Sequence, residues 1–208
     1  MREEKPTIFI VDDDPSVRDS MKLMLESVGF DVKPFVSAQD FLNVNLKEGP
    51  GCLILDVRMP GMSGLDLQEK LVSAKTPLPV IFITGHGTVP MSVRAMKAGA
   101  VDFLQKPFEE QDLLDAIYRA INRQKERKSK TEETGQIQQC LNALTPREYE
   151  VFSLLVTGMP NKEIAYKLGT SERTIKAHRS QIMEKMNAGS LADLVRFAEK
   201  LKPHPEDH

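Results

Sequence analysis

The stretch that decides the fold is Cys52-Leu53-Ile54-Leu55-Asp56-Val57-Arg58-Met59-Pro60-Gly61-Met62-Ser63-Gly64. It begins with an unbroken apolar run, the carboxylate of Asp56 follows, and the chain then turns through Pro60 and Gly61. A short apolar run bounded by glycine and proline is typical of a strand in a parallel sheet covered on both faces, although a buried helix segment would look similar over so few residues. The stretch therefore predicts one acidic side chain at the end of a buried element.

The same pattern recurs along the chain, and its repetition favours strands over buried helix segments. Apolar runs that end in polar groups are Ile8-Phe9-Ile10-Val11 before Asp12-Asp13-Asp14, Val80-Ile81-Phe82-Ile83 before Thr84-Gly85, and 100–105 before Lys106-Pro107. In open α/β sheets, ligands bind outside the carboxyl ends of the strands. We therefore expect one small site to be formed by Asp12, Asp13, Asp56, Thr84 and Lys106.

Clustered carboxylates at one site repel one another. The usual resolutions are a raised pKa on one of them or a bound hard cation with oxygen ligands, and Mg²⁺ is the resolution we expect here. A cation beside Asp56 would also neutralise an incoming phosphoryl group, while Lys106 would pair with its oxygens and Thr84 could hydrogen-bond it. Asp56 is the candidate nucleophile that forms an aspartyl phosphate.

Strand and helix patterns alternate over residues 5 to 121. Helices are predicted from Val17 to Gly29, after a cap at Ser37, at 64–73, at 90–98 and from Glu109 onward. Residues 32–36 are predicted as an edge strand because Pro34 lies within them. Strict β/α alternation predicts an α/β fold, a doubly wound five-stranded parallel sheet of the flavodoxin-like order with right-handed crossovers.

The order and spacing of Asp12-Asp13, Asp56, Thr84 and Lys106-Pro107 resemble those of a bacterial response-regulator receiver domain. Residues 5 to 121 resemble one throughout, and Thr84-Gly85-His86-Gly87 followed by 96–103 is similar to its FixJ branch. The resemblance to one such regulator extends over the whole chain, and this resemblance alone implies a role in aromatic-hydrocarbon catabolism.

The resemblance to receivers implies a mechanism. Mg²⁺ would be held by Asp13, Asp56 and the backbone carbonyl of Arg58, with Asp12 supporting it through water. A sensor histidine kinase would donate a phosphoryl group to Asp56 in a transfer that the receiver itself catalyses. Phe103 would be the movable aromatic partner of Thr84, and its movement would let the receiver form a homodimer.

Composition and charge divide the chain of 208 residues, which is long enough for two domains of about 100 residues each. Residues 1–121 carry a net charge of −5, whereas 122–201 carry +4, which makes the second half the better nucleic-acid candidate. No apolar stretch is long enough to span a membrane and no signal-peptide core precedes the first strand, so we expect a cytoplasmic protein with no membrane partner. Cys52 and Cys140 lie in different predicted domains, and we expect both thiols to be reduced.

A polar segment separates the two halves. Residues 122–136 lack large apolar side chains, which is typical of a linker, and we place the linker at 122–140. Its composition allows the fifth helix to continue as a rigid spacer as far as Gly135.

Only helical patterns follow Leu144. Thr145-Pro146-Arg147-Glu148 is a strong start signal for a helix that Gly158 ends, and a short helix at 161–168 stops at Gly169. Ser171 caps a third helix, and 190–200 supplies a fourth. Two helices joined by a tight turn that contains glycine fit a helix-turn-helix domain, here 141–208.

Residues 141–201 resemble the LuxR/NarL type of DNA-binding domain. The resemblance rests on 144–148, Gly158, 161–165 and Thr174-Ile175-Lys176-Ala177-His178. On the third of these helices, Ile175 and Ile182 must face the core, which turns the opposite side toward a major groove. By resemblance, the residues that read bases are Lys176, Ala177 and Ser180, and those that hold phosphates are Arg173, Thr174, His178 and Arg179.

The expected function is that of a two-component transcriptional activator, with a receiver at 1–121. Phosphorylation of Asp56 would promote dimerisation and binding to promoter DNA, and the implied partners are a sensor histidine kinase, double-stranded DNA and RNA polymerase. Apart from its own phosphorylation and dephosphorylation, the protein is not expected to be an enzyme.

Two alternatives stay open at this point. A phosphatase-like enzyme that uses Asp56 as a covalent nucleophile would turn over a chromogenic phosphate ester. A constitutive DNA-binding module whose receiver only dimerises would keep its regulation in Asp56→Ala.

Overall fold

The computed structural model describes residues 5–44, 49–85 and 87–202. His86, part of the FixJ-like motif, lies outside the described residues. The chain divides into two compact units, 1–127 and 128–208, and this division falls within the segment that we predicted as a linker.

The first unit contains a five-stranded parallel sheet. Its strands are β1 (Thr7–Val11), β2 (Asp31–Phe35), β3 (Gly51–Asp56), β4 (Val80–Thr84) and β5 (Asp102–Gln105). The strand order is β2-β1-β3-β4-β5, and every neighbouring pair is parallel. This confirms the predicted doubly wound sheet, with β2 and its Pro34 at an edge.

Helices cover both faces of this sheet. They are α1 (Pro15–Val28), α2 (Ala38–Leu42), α3 (Gly64–Ser73), α4 (Val89–Lys97) and the first part of α5 (Glu110–Asn142). Apolar side chains of α1 and α5 pack on one face, and those of α2, α3 and α4 pack on the other. Asp14 caps α1, and Gly29 ends it with a φ of 106°, a left-handed conformation that glycine adopts without strain.

β3 lies at the centre of the sheet, and all its residues are buried. Its first residue is in tight contact with β1, because a Cβ atom at Gly51 would lie 2.1 Å from the carbonyl oxygen of Thr7. The Gly51 N–H donates to Oε1 of Gln124 on α5 at 2.8 Å. Close packing at the start of β3 therefore fixes where its last residue, Asp56, lies.

α5 is 33 residues long and continues past Gly135, where we expected the extended helix to end. Ile137, near its C-terminal end, is buried in the core of the second unit. Among the residues that the structure describes, no helix is long and apolar enough to cross a membrane.

The second unit is helical. After the last turns of α5 come α6 (Pro146–Leu155), α7 (Asn161–Lys167), α8 (Glu172–Lys185) and α9 (Leu191–Lys200). Its core is built from side chains of each helix, among them Ile137, Val151, Ile164, Ile175, Ile182 and Leu194. α7 and α8 are joined by a short turn in which Gly169 has a φ of 61°. This confirms the predicted all-helical domain.

The N-terminal turn of α6 holds the ends of both α7 and α8. Arg147 Nη2 donates to the carbonyl oxygen of Leu168, the C-terminal cap of α7, at 2.7 Å. Lys185 Nζ, in the last turn of α8, donates to Oε2 of the buried Glu148 at 2.6 Å. Two adjacent residues of α6 therefore link it by hydrogen bonds to both α7 and α8.

Gly51→Ala is expected to destabilise the first unit by about 3 kcal/mol, because overpacking against a backbone carbonyl cannot be relieved by rotating a side chain. Hydrogen–deuterium exchange of the full chain should show faster exchange in peptides from β1 and β3. Peptides from α6 to α9 supply the internal reference, and unchanged protection of β1 and β3 would contradict the close approach.

Glu148→Gln is expected to destabilise the second unit by about 2 kcal/mol at pH 7, because it leaves the ammonium group of Lys185 without its carboxylate. The hydrogen bond from Lys185, together with that from the Thr145 N–H, lowers the pKa of Glu148 from about 4.5 to about 2. A carboxylate with a lowered pKa stabilises the fold above its ordinary pKa, so this contribution should be lost as the pH falls from about 4.5 to about 2.

Exchange of amides in α6 and α8 measures this change. Glu150→Gln is the matched control, because Glu150 on the same helix pairs with Arg147 at the surface, where an ion pair contributes about 0.5 kcal/mol. Equal destabilisation by the two variants would refute the special role of Glu148.

Candidate functional site

Polar side chains meet at the carboxyl edge of the sheet. Asp12 follows β1, Asp56 is the last residue of β3, Thr84 is the last residue of β4, and Lys106 follows β5. Adjacent strands in a parallel sheet end at the same edge, so these four groups approach one another although they are far apart in sequence. The backbone supports this arrangement, since the Lys106 N–H donates to the carbonyl oxygen of Thr84 at 2.8 Å.

The ammonium group of Lys106 is shared by two carboxylates. Its Nζ donates to Oδ2 of Asp12 at 2.6 Å and to Oδ1 of Asp56 at 3.0 Å. The side chains of Asp12 and Asp56 are only 1% and 9% exposed. Because burying an unpaired charge is costly, Lys106 is the group that allows the two carboxylates to lie together.

Backbone groups fix the remaining oxygens of the two carboxylates. The Arg58 N–H donates to Oδ2 of Asp56 at 2.7 Å, and the Asp14 N–H donates to Oδ1 of Asp12 at 2.9 Å. Arg18 on α1 donates from Nη1 to the carbonyl oxygen of Asp12 at 2.6 Å. The role of Arg18 was not predicted, although a cation one turn after an acidic cluster at a helix start is a signal that could have suggested it.

Burial is the main cause of the raised pKa of Asp56, while hydrogen bonding and attraction from Lys106 and the hydrogen bond from Arg58 act in the opposite direction. Burial also acts to lower the pKa of Lys106, but its hydrogen bonds to Asp12 and Asp56 outweigh this and raise that pKa. Lys106 is therefore firmly cationic, whereas Asp56 keeps a carboxylate that is only partly compensated.

The fit of this site to Mg²⁺ depends on its oxygen atoms. Asp12, Asp56 and the backbone carbonyl of Arg58 offer oxygen donors, the type that Mg²⁺ prefers. Asp13 is exposed. Within the described parts of the chain, no three acidic, histidine or cysteine side chains are grouped closely enough to hold a metal ion. The donor chemistry fits Mg²⁺, but the structure does not bring Asp13 into a cluster of three acids.

Thr84, Gly87 and Phe103 form a tight contact beside the carboxylates. Thr84 is buried and Phe103 is half-buried, with its ring centroid 6.1 Å from that of Phe82. A Cβ atom at Gly87 would lie 2.9 Å from Cε1 of Phe103 and 3.0 Å from Cγ2 of Thr84. Gly87 therefore lies against both residues of the predicted switch, Thr84 and Phe103. The sequence analysis did not predict this contact.

A groove of about 460 Å³ opens between α1 and the start of α5. The residues along it include Val17, Met21, Met24, Lys106, Pro107 and Phe108. The lining is mainly apolar, and Lys106 connects this groove to the two carboxylates.

In the second unit, the predicted nucleic-acid residues lie on the surface of α8. Ile175 and Ile182 are fully buried, as expected for the core face. The exposed residues are Arg173, Thr174, Lys176, Ala177 and Ser180, while His178 and Arg179 are partly exposed. Nδ1 of His178 is the one buried side-chain nitrogen or oxygen without a hydrogen-bond partner in the described part of the chain. A face of α8 is therefore free to contact a ligand of the second unit.

Comparisons with known proteins assign both units to families. Residues 8–118 match the response regulator receiver domain, and residues 142–198 match the luxR family of bacterial regulatory proteins. The chain is 46% identical over 197 residues to nodulation protein W of Bradyrhizobium diazoefficiens, covering 95% of this chain and 87% of that protein. It is 45% identical over 202 residues to the response regulator protein TmoT of Ectopseudomonas mendocina, covering 97% and 92%.

The structure is similar to that of a solved full chain as well. It superposes on the response regulator StyR with a TM-score of 0.82 and 51% identity, covering 94% of this chain and 99% of that one. The two domain matches, the relatives that align over nearly the whole chain and the solved structure all indicate the same family. The chain therefore belongs to the response regulators of two-component systems, as a transcriptional regulator that joins a receiver domain to a LuxR-type DNA-binding domain.

Proposed function

We propose that this protein is a phosphorylation-dependent activator of transcription, in which a sensor histidine kinase phosphorylates Asp56. The observation that carries this proposal is the shared ammonium group of Lys106, which bonds to Asp56 and to Asp12. A lysine held beside an incompletely compensated carboxylate is suited to receive the oxygens of an incoming phosphoryl group.

In the proposed reaction, an oxygen of Asp56 attacks phosphorus as the bond from phosphorus to the kinase histidine breaks. Lys106 transfers its hydrogen bonds to the phosphoryl oxygens, and the Arg58 N–H holds the carboxylate in position. Asp13, Asp56 and the Arg58 carbonyl would hold Mg²⁺, with Asp12 supporting it through water. When bound, the ion neutralises the charge that develops on the phosphoryl oxygens.

The apolar groove beside Lys106 supports the kinase as partner. Val17, Met21 and Met24 of α1 face Pro107 and Phe108 across it. A helix that carries the donor histidine could place its apolar side there and bring the phosphoryl group next to Lys106. The kinase would thus bind through the same loop that supplies the catalytic lysine.

Phosphorylation would be read out through Thr84 and Phe103. The phosphoryl group adds a charge of about −2 and would draw the Thr84 hydroxyl toward it. Phe103 would then turn into the space that Thr84 leaves, since both contact the position of Gly87. The surface of α4, β5 and α5 would change shape and dimerise, and exposed apolar side chains of α4 on this surface are Val89, Val93 and Met96.

Dimerisation would bring two copies of α8 to two half-sites of promoter DNA. Lys176, Ala177 and Ser180 would read bases, while Arg173, Thr174, His178 and Arg179 would hold phosphates. The DNA-bound dimer would recruit RNA polymerase. We place this activity in the cytoplasm, and the resemblance noted above suggests genes of aromatic-hydrocarbon catabolism as targets.

Acetyl phosphate with Mg²⁺ should convert the full chain to a dimer and tighten binding to a duplex selected from a randomised pool by about 10- to 100-fold, because two linked sites bind more tightly than one. Sedimentation and fluorescence anisotropy measure the two effects. Both should be lost in Asp56→Ala and kept in Asp19→Asn, which removes an exposed carboxylate from α1. The absence of any shift in both the unsubstituted chain and Asp56→Ala would favour the constitutive module instead.

Gly87→Ala should weaken the switch without preventing phosphorylation. The added methyl group would displace Phe103 before any phosphoryl group is present, at a cost of about 1 kcal/mol. We expect the difference in dimer affinity between the phosphorylated and unphosphorylated chains to shrink by about fivefold, in line with that energy.

Gly85→Ala is the matched control for this variant, because a Cβ atom there would have no neighbour within 4 Å. Sedimentation at several concentrations gives the dimer affinities, and incorporation of labelled phosphate confirms that Asp56 still reacts. The proposed coupling of Thr84 and Phe103 is wrong if Gly85→Ala reduces the difference in dimer affinity between the phosphorylated and unphosphorylated chains as much as Gly87→Ala does. It is also wrong if Gly87→Ala leaves that difference unchanged.

A further inference from the structure

The first turn of α8 contains an ion pair on the face predicted to meet DNA. Oε1 of Glu172 lies 3.2 Å from Nζ of Lys176, one turn further along the helix. The two side chains are 49% and 66% exposed. A glutamate four residues before a lysine is the favourable order for such a pair, and a carboxylate at a helix N-terminus is further stabilised by the helix dipole. The Glu172 side chain thus lies within ion-pair distance of Lys176.

A carboxylate in this position is unfavourable for binding to DNA in general. The outward face of α8 carries the cations Arg173, Lys176 and Arg179, which would attract the phosphates of any duplex. Glu172 is exposed beside them and is repelled by the same phosphates. It also holds the ammonium group of Lys176, so that this cation is not free to neutralise a phosphate without giving up its partner.

We propose that Glu172 is a specificity-determining residue, which withholds the charge of Lys176 from the DNA backbone and so selects for a G·C base pair at this position. In a non-specific complex, Lys176 gains a phosphate only by giving up Glu172, whose charge the same phosphate repels. At a G·C pair, Lys176 can donate to O6 and N7 of guanine while Glu172 accepts from the N4 amino group of cytosine. Both members of the ion pair then gain a partner, which only this base pair offers to both.

This inference rests on the proposed role of α8 in reading DNA, and it has a quantitative consequence. Each phosphate that a protein neutralises changes the slope of log K against log salt by about −0.9 on B-form DNA. Removing the Glu172 charge frees Lys176 to contact a phosphate in non-specific complexes. The slope for non-specific binding should therefore become steeper by about 0.9, and the preference for selected sequences should fall.

The experiment uses the full chain, treated with Mg²⁺ and acetyl phosphate, and compares Glu172→Gln with the unsubstituted protein. Two probes are used: a random-sequence duplex of about the length of two half-sites, and the duplexes that the unsubstituted chain enriches from a randomised pool. Fluorescence anisotropy at several salt concentrations gives the affinities and slopes. Sequencing of the pool bound by each variant gives the base preference directly.

We expect Glu172→Gln to bind the random duplex about five- to tenfold more tightly, with the steeper salt slope, and to lose part of the G·C preference at one position of each half-site. Glu184→Gln is the matched control, because it removes an exposed carboxylate from the same helix three turns away from Glu172. In the Lys176→Gln background, Glu172→Gln should no longer change the slope.

Three results would overturn the inference: an equal gain in Glu184→Gln, an unchanged base preference in Glu172→Gln, or the same slope change when Lys176 is absent. Failure of the proposed function would look different. In that case the unsubstituted chain would enrich no sequence from the pool at all, whereas a failure of this inference alone leaves that enrichment intact.

Discussion

In the described structure, Lys106 is the only cationic side chain that hydrogen-bonds to both Asp12 and Asp56, and the close approach of these two buried carboxyl groups depends on it. In the sheet, β4 lies between β3 and β5. The Lys106 side chain must therefore pass the end of β4 to reach Asp56, and it passes Thr84, whose carbonyl oxygen accepts from the Lys106 N–H. The strand order thus explains why Thr84 lies at the same edge of the sheet as the two carboxylates.

The sequence predicted the strands and the convergence of their polar ends because both follow from local patterns. Apolar runs that end in Asp56, Thr84 and Lys106 need only the rule that parallel strands finish at one edge. Contacts that depend on the three-dimensional path of a side chain were beyond such patterns. Arg18 donates to the Asp12 carbonyl, and Gly87 lies against Thr84 and Phe103. Many other arginines and glycines in the described part of the sequence look the same and make no such contact.

The length of α5 shows a second limit of prediction. The polar residues after Ile121 have high helix propensity, so a continued helix was foreseen, but propensity alone does not say where it ends. The helix passes Gly135 because Ile137 and the residues after it join the core of the second unit. Core packing by Ile137 and by Cys140 and Leu141 after it therefore outweighs the local cost of glycine in the helix, although the predicted linker segment included Ile137 and Cys140.

The segment Thr145-Pro146-Arg147-Glu148 was interpreted as the start of a helix and as part of the LuxR-like motif. It is a helix start, since Thr145 and Glu148 form a reciprocal capping box. The same turn also holds α7 through Arg147 and α8 through Glu148. A residue type that is expected at a helix start for local reasons can therefore carry a tertiary role that the sequence does not reveal.

Both units bury carboxylates against a lysine, but the number of carboxylates for each lysine differs. The second unit pairs one carboxylate with one lysine, whereas the first places two carboxylates against one lysine. Glu148 has the ammonium group of Lys185 and a backbone N–H to itself, so its charge is fully compensated and its pKa falls to about 2. Asp12 and Asp56 must share one ammonium group, and burial leaves the pKa of Asp56 raised. One carboxyl group is therefore in excess over the ammonium groups that bond to this pair. That excess would be costly in a purely structural site, whereas it is what a site needs if it is to attract a cation and then accept a phosphoryl group.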